Sequence, residues 1–250
     1  YSTNRPAKAK ENFGRNAQLH PASLSASASY VEFLMYSQDW EALSQEGQKK
    51  FEQFPKEVAF LEMATLAEHN LEHYDKVIDL CDKVLALDYA DTSSVVRAWS
   101  TKGDVYYHIG QAKKAYKSYE KALKMGPDNI TVLNNYAYYL CENGKSLKKA
   151  CQMSRKTIDV EPDNATYLDT YGWILYLMGK PEEAKPHFKR AMLFGGKESP
   201  VILDHYAEVL YALKEYDLAL VYWNLALQKN NGDIPGLKEK VEERKKSMGK

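Results

Sequence analysis

From Val96 onward the apolar and small residues fall into a register that repeats. Trp99, Gly103 and Tyr106 are followed by Gly110, Ala115, Tyr119, Ala122 and Pro127. Steps of three and four draw one apolar stripe on each of two successive helices, while Gly110 and Pro127 fall where such helices stop. The register returns at Leu133, Tyr136, Ala137, Leu140, Gly144, Ala150 and Pro162, then at Leu168, Tyr171, Gly172, Leu175, Gly179, Ala184, Phe188 and Ala191. A further copy carries Leu203, Tyr206, Ala207, Leu210, Ala219, Trp223 and Ala226. Small residues recur in two fixed slots, as Gly103/Ala115, Ala137/Ala150, Gly172/Ala184 and Ala207/Ala219, and predict two antiparallel helices at close approach. Pro127-Asp128-Asn129 and Pro162-Asp163-Asn164 end one hairpin and cap the next.

The register weakens upstream. Residues 58–95 place Leu61, Tyr74, Val77, Cys81 and Val84 in the expected slots, and residues 24–57 place Tyr30, Val31, Leu34, Trp40, Leu43, Phe51 and Pro55. Their close-packing slots hold Val31/Leu43 and Thr65/Val77, so these helices are expected to stand further apart. At the start, Asn4-Arg5-Pro6-Ala7-Lys8-Ala9 parallels Gly179-Lys180-Pro181-Glu182-Glu183-Ala184. Residue 1 is therefore expected to lie inside a repeat and the chain to be a piece of a longer protein. At the other end, Leu237, Val241 and Met248 form one stripe among Lys and Glu, the pattern of a solvating helix over the last hairpin. The expected organisation is a partial repeat at 1–23, two degenerate hairpins at 24–95, four regular hairpins at 96–233 and a capping helix at 234–250. Pro186, inside an expected second helix, predicts a kink or a late start there.

The spacing from Trp99 to Pro127, about 34 residues per copy, resembles the tetratricopeptide repeat pattern W-x2-L-G-x2-Y, A-x3-F and P, with Lys102 in place of the usual Leu. The resemblance implies an all-α fold: a right-handed α-solenoid superhelix of helix-turn-helix hairpins whose first helices line a concave groove. By slot, the groove residues are Arg97, Asp104, Tyr107, Asn134, Tyr138, Cys141, Asp169, Trp173, Tyr176, Asp204, Glu208 and Tyr211. Aromatic residues are frequent interface anchors, and Asp169, Asp204 and Glu208 favour basic groups on a partner. The expected function is therefore a scaffold that binds a protein or peptide, through its basic or apolar side chains, in that groove. The alternatives are a glycan- or envelope-binding module and the non-catalytic array of a larger enzyme. Tetratricopeptide modules that clamp a chaperone's C-terminal carboxylate place Lys, Asn and Arg in the groove; here Asn134 and Asn135 have no matching Lys or Arg. The strings 133–138, 167–173 and 204–209 are similar to exported tetratricopeptide proteins of the Gram-negative envelope, although Ala207-Glu208 departs from the Gly-Asp often found there. That similarity implies a periplasmic or envelope location.

Composition removes other classes. With 34 Lys+Arg against 34 Asp+Glu, no global field draws the chain to nucleic acid, and no apolar run approaches the roughly 20 residues of a membrane span. Cys81, Cys141 and Cys151 form no CxxC pattern and are expected as free thiols, although Cys141 and Cys151 share a hairpin. His69 and His73 straddle an expected turn and lack the His-Glu-x-x-His context of a metal site. His205 and Asp204 are sequence neighbours, and neighbours on a helix do not face each other. Asn129 and Asn164 match the glycosylation acceptor pattern and also the linking turn. No nucleophile elbow, phosphate loop or paired-carboxylate constellation appears, so neither a cofactor nor a catalytic residue is expected.

Overall fold

The computed structural model describes residues 6–144 and 146–248; Asn4 and Arg5, the first two residues of the parallel drawn at the start of the chain, lie outside the described residues. Among these residues the chain is all-α, as the register predicts. It divides into two compact units, Tyr1–Pro127 and Asp128–Lys250.

The first unit contains α1 (Pro6–Leu19), α2 (Leu24–Tyr36), α3 (Trp40–Gln53), α4 (Ala59–Asn70), α5 (Tyr74–Leu85), α6 (Thr92–His108) and α7 (Ala112–Met125). The α6–α7 hairpin shows what its small slot is for. A Cβ on Gly103 would stand 2.6 Å from the Tyr119 ring, so it is an aromatic side chain of the partner helix that calls for glycine there. Upstream, Val31 and Leu43 are fully buried in their larger slots. A close approach among the earlier helices falls at Gly47, where a Cβ would meet the Phe60 carbonyl oxygen at 2.8 Å. Close packing there joins α3 to α4, across consecutive hairpins.

The second unit contains α8 (Ile130–Glu142), α9 (Leu147–Val160), α10 (Ala165–Leu177), α11 (Pro181–Leu193), a 3-10 turn (Gly196–Glu198), α12 (Pro200–Ala212), α13 (Tyr216–Lys229) and α14 (Leu237–Ser247). Gly172 receives the Phe188 ring, whose nearest atom would lie 2.7 Å from an added Cβ. Phe188, Tyr206 and Trp223 are fully buried in one continuous core. The first helices pack on one another in sequence, α8 on α10 and α10 on α12.

Caps and turns follow the local sequence. Asn129 accepts from the Val132 amide at 3.0 Å, and Asn164 from Thr166 and Tyr167 at 3.1 and 3.2 Å, so both acceptor-pattern asparagines are N-caps. The residue after each first-helix C-cap is left-handed: Gly110 and Gly179 take φ of +76°, while Gln38, Glu72 and Lys214 hold +56°, +59° and +61° without glycine's freedom. Helix α11 starts at Pro181 and runs through Pro186, so the late start that Pro186 predicts does not occur. Pro186 falls in the helix's second turn and is exposed, and it has no amide proton to give the Glu182 carbonyl one turn back.

Candidate partner-binding surfaces

In the first unit, α4, α5 and α6 enclose a cleft of about 270 Å³. Buried Cys81, Val84 and Ala98 give it an apolar floor; Thr65, Thr101, His69 and exposed Leu66 stand around them. Two residues assigned to the groove by slot, Arg97 and Asp104, line this cleft. The Arg97 guanidinium donates to Glu62 Oε1 from Nε at 3.1 Å and from Nη2 at 2.8 Å, and to Ser93 Oγ from Nη1 at 2.8 Å. Arg97 is thus set across the mouth by α4 and by its own helix. Asp104 accepts from the Tyr119 hydroxyl at 2.5 Å, and Tyr107 on the same helix is half-buried. Burial pushes the Cys81 thiol up to about 12, so this wall of the cleft is an uncharged, unreactive surface at neutral pH.

In the second unit the slot-assigned residues share one side of α8, α10 and α12, but several are spent on the fold. Asp169, Asp204 and Glu208 are only 5%, 6% and 4% exposed. The slot argument expects these acids to face solvent and await a partner's cations; the structure places their carboxylates in helix-to-helix contacts. Asp169 faces His205 Nδ1 at 2.9 Å. Asp204 accepts from Trp223 Nε1 at 3.0 Å and from Lys240 Nζ at 2.6 Å. Glu208 Oε2 accepts from Arg244 Nη2 at 2.8 Å. The reason is geometric: each first helix is followed by another helix in the same position, and α14 takes that position after α12.

The aromatic members are partly covered in the same way. Trp173 stacks on His205 with centroids 4.0 Å apart and on Tyr176 at 4.9 Å, and its Nε1 donates to Glu142 Oε1 at 2.9 Å. Tyr211 meets Ser247 Oγ at 2.8 Å and lies under the Arg244 guanidinium at 4.7 Å. Tyr138 and Tyr176 remain half-exposed, while Asn134 and Cys141 are buried. Burial pushes the Cys141 thiol up to about 12 as well, and its Sγ donates to the Tyr138 carbonyl at 3.0 Å.

The slot argument misses four residues that organise this surface: Glu142, His205, Lys240 and Arg244. A signal for three of them is present in the sequence. Asp169–His205, Asp204–Lys240 and Glu208–Arg244 are each separated by 36 residues, one repeat apart, so complementary charges at that offset mark contacts between successive first helices. His205 thus pairs with Asp169, not with its neighbour Asp204. His69 and His73 are split between the end of α4 and the N-cap of α5, and His73 Nδ1 lies 2.7 Å from Glu68 Oε2.

Comparison with known proteins agrees with this architecture. Tetratricopeptide repeat models match residues 96–129 and 118–152. A TPR repeat-containing protein of Methanocaldococcus jannaschii is 31% identical over 74 residues, covering 30% of this chain and 12% of that protein, so the chain spans a small part of that relative. Among solved structures, the APC/C hetero-tetramer Cut9-Hcn1 aligns with a TM-score of 0.74 at 13% identity, over 98% of this chain and 47% of that one. A tetratricopeptide repeat protein from Parabacteroides merdae aligns with a TM-score of 0.70 at 12% identity, over 96% and 92% of the two chains. PilF of Pseudomonas aeruginosa reaches a TM-score of 0.59 at 22% identity, over 76% and 86%. At these identities the solved structures speak to the fold alone. Residues 96–152 thus match tetratricopeptide repeat models, and the helical architecture of the described residues is that of tetratricopeptide-repeat solenoids.

Proposed function

We propose that the chain is a scaffold that holds a segment of a partner protein against the first helices of its hairpins, with one apolar side chain of that segment anchored in the cleft between α4, α5 and α6. The tetratricopeptide fold supports protein–protein interaction in general; the observation that carries the finer reading is the cleft itself. At about 270 Å³ it falls just short of the usual small-molecule range of roughly 300–1,000 Å³, so it suits a side chain better than a whole cofactor or metabolite. Its floor is apolar, and its mouth carries a hydrogen-bonded Glu62–Arg97 pair that orients a polar backbone passing over it. The second unit by itself presents half-exposed Tyr138, Trp173 and Tyr176, an aromatic surface of the kind that anchors interfaces. Trp173 is held there by Glu142 and by its stack on His205, which Asp169 holds in turn.

A randomised peptide library selected on the intact chain tests this reading. The enriched peptides are expected to share one apolar anchor position and to lose binding at least tenfold when Thr101→Leu fills the cleft, an order that one lost buried side chain supports. Selected peptides that bind the filled variant unchanged would remove the cleft from the account. No helix among the described residues is long and apolar enough to cross a membrane.

A further inference from the structure

Helix α14 is a weakly anchored helix on a strongly acidic seat. It buries only Leu237 and Val241 completely, with Met248 and the preceding Ile234 partly covered. Ser247 meets the Tyr211 hydroxyl and Arg244 covers the Tyr211 ring, and the rest of the hold is ion pairing. Lys240 Nζ reaches Asp204 Oδ2 at 2.6 Å and Arg244 reaches Glu208 Oε2 at 2.8 Å. The acids themselves lie deep in the surface of α12, and a carboxylate so placed needs a cation against it. The stripe that meets them, Leu237, Lys240, Val241 and Arg244, has the i, i+3, i+4, i+7 spacing of a helix laid along a groove.

The fit is incomplete at one atom. Glu208 Oε1 is buried and accepts no hydrogen bond. Lys240 Nζ lies 3.4 Å from it, close enough for charge attraction, while its hydrogen bonds go to Asp204. An ammonium on this stem serves one carboxylate well and the other poorly. A guanidinium at the same place has a planar fork that spans two acceptors.

We propose that the acidic face of α12, centred on Asp204 and Glu208, is a docking seat for a basic amphipathic helix of a partner protein, and that α14 occupies it in cis. The partner helix carries apolar, Arg, apolar and Arg residues at i, i+3, i+4 and i+7. Tethering gives α14 the advantage of high effective concentration; the partner's added arginine offsets it by satisfying Glu208 Oε1. The segment 230–236 between α13 and α14 carries left-handed Gly232 and Gly236, with φ of +106° and +72°. It has few buried residues to lose when α14 leaves. This seat lies wholly in the second unit, so its failure leaves the cleft reading standing, and the reverse holds too.

The test uses the full chain carrying Lys240→Glu and Arg244→Glu, which sets like charges against Asp204 and Glu208 and expels α14. Two labelled peptides of sequence 234–248, one native and one with Lys240→Arg, are titrated by fluorescence anisotropy. The Lys240→Arg peptide is expected to bind saturably and about tenfold more tightly than the native peptide, the order of one added charge-assisted hydrogen bond. Adding Asp204→Asn and Glu208→Gln to the chain is expected to abolish binding. Equal affinities for the two peptides, or binding that survives loss of both carboxylates, would overturn the proposal. Should the charge-reversed chain unfold without cooperativity, hydrogen exchange on the unmodified chain decides. Saturating Lys240→Arg peptide must then strip protection from α14, and unchanged protection overturns the proposal.

Discussion

His205 holds its Nδ1 2.9 Å from Asp169 Oδ1, 36 residues upstream, and both side chains are buried between α10 and α12. Burial opposes charge on the imidazole, but the charge of Asp169 and the hydrogen bond to it prevail and hold His205 above its ordinary 6.5. A raised histidine contributes stability that is fully present below its unfolded value and is lost as pH rises through the folded one. The chain is therefore expected to lose stability as pH climbs upward from 6.5, and Asp169→Asn is expected to flatten that decline. Urea unfolding at a series of pH values reads both. His187 separates cleanly in the same series. Burial, then the charges of Arg155 and Arg190, hold it below 6.5, so its contribution is lost only as pH falls.

Lys240→Ala is expected to cost about 2 kcal/mol, because it strips a cation from two buried carboxylates; the partial exposure of Lys240, 32%, keeps the loss below the roughly 3–5 kcal/mol of a fully buried pair. Lys245 pairs only with exposed Glu242 on its own helix, and Lys245→Ala is expected to leave stability unchanged. Thermal or urea unfolding of the two variants side by side measures the difference. Equal effects would show that α14 is held by its apolar residues alone.

Gly172→Ala sets a helix-propensity gain of about 1 kcal/mol against overpacking of roughly 1–3 kcal/mol, since the new Cβ would stand 2.7 Å from the Phe188 ring. The steric cost wins, and a net loss is expected. Phe188→Leu in the Gly172→Ala background is expected to recover part of it, where Phe188→Leu alone destabilises. A double-mutant cycle in urea reads the coupling.

Asn164 caps α10 through two backbone amides. Asn164→Ala is expected to cost about 1 kcal/mol in the same assay, and Asn164→Asp to cost little.

These predictions divide according to what the sequence makes legible. The hairpins of 96–233 are readable because Trp99, Gly103, Tyr119 and their successors impose a local period, and local period depends on residues only a few positions apart. Both linking turns are readable for the same reason, since Asn129 and Asn164 act on amides two or three residues away. The close approach at Gly47 is not readable from the hairpin slots, because it joins α3 to α4 across a hairpin boundary. Slot position also groups Asp204 and Glu208 on one side of α12. It fails to bury them, because burial depends on α14, whose Lys240 and Arg244 resemble a solvated face when read without their partners. Arg97 and Asp104 line the cleft; the cleft itself arises where Thr65 of α4, Cys81 of α5 and Ala98 and Thr101 of α6 meet, a coincidence of three helices that no single helix's period records.

The most direct measurement is hydrogen exchange along the full chain, with and without a saturating peptide obtained from the library selection. Binding in the cleft predicts slowed exchange in α4 and α6, the helices that carry Glu62, Thr65, Arg97 and Thr101, and loss of that protection in Thr101→Leu. A bound peptide that leaves exchange in both α4 and α6 unchanged would contradict it.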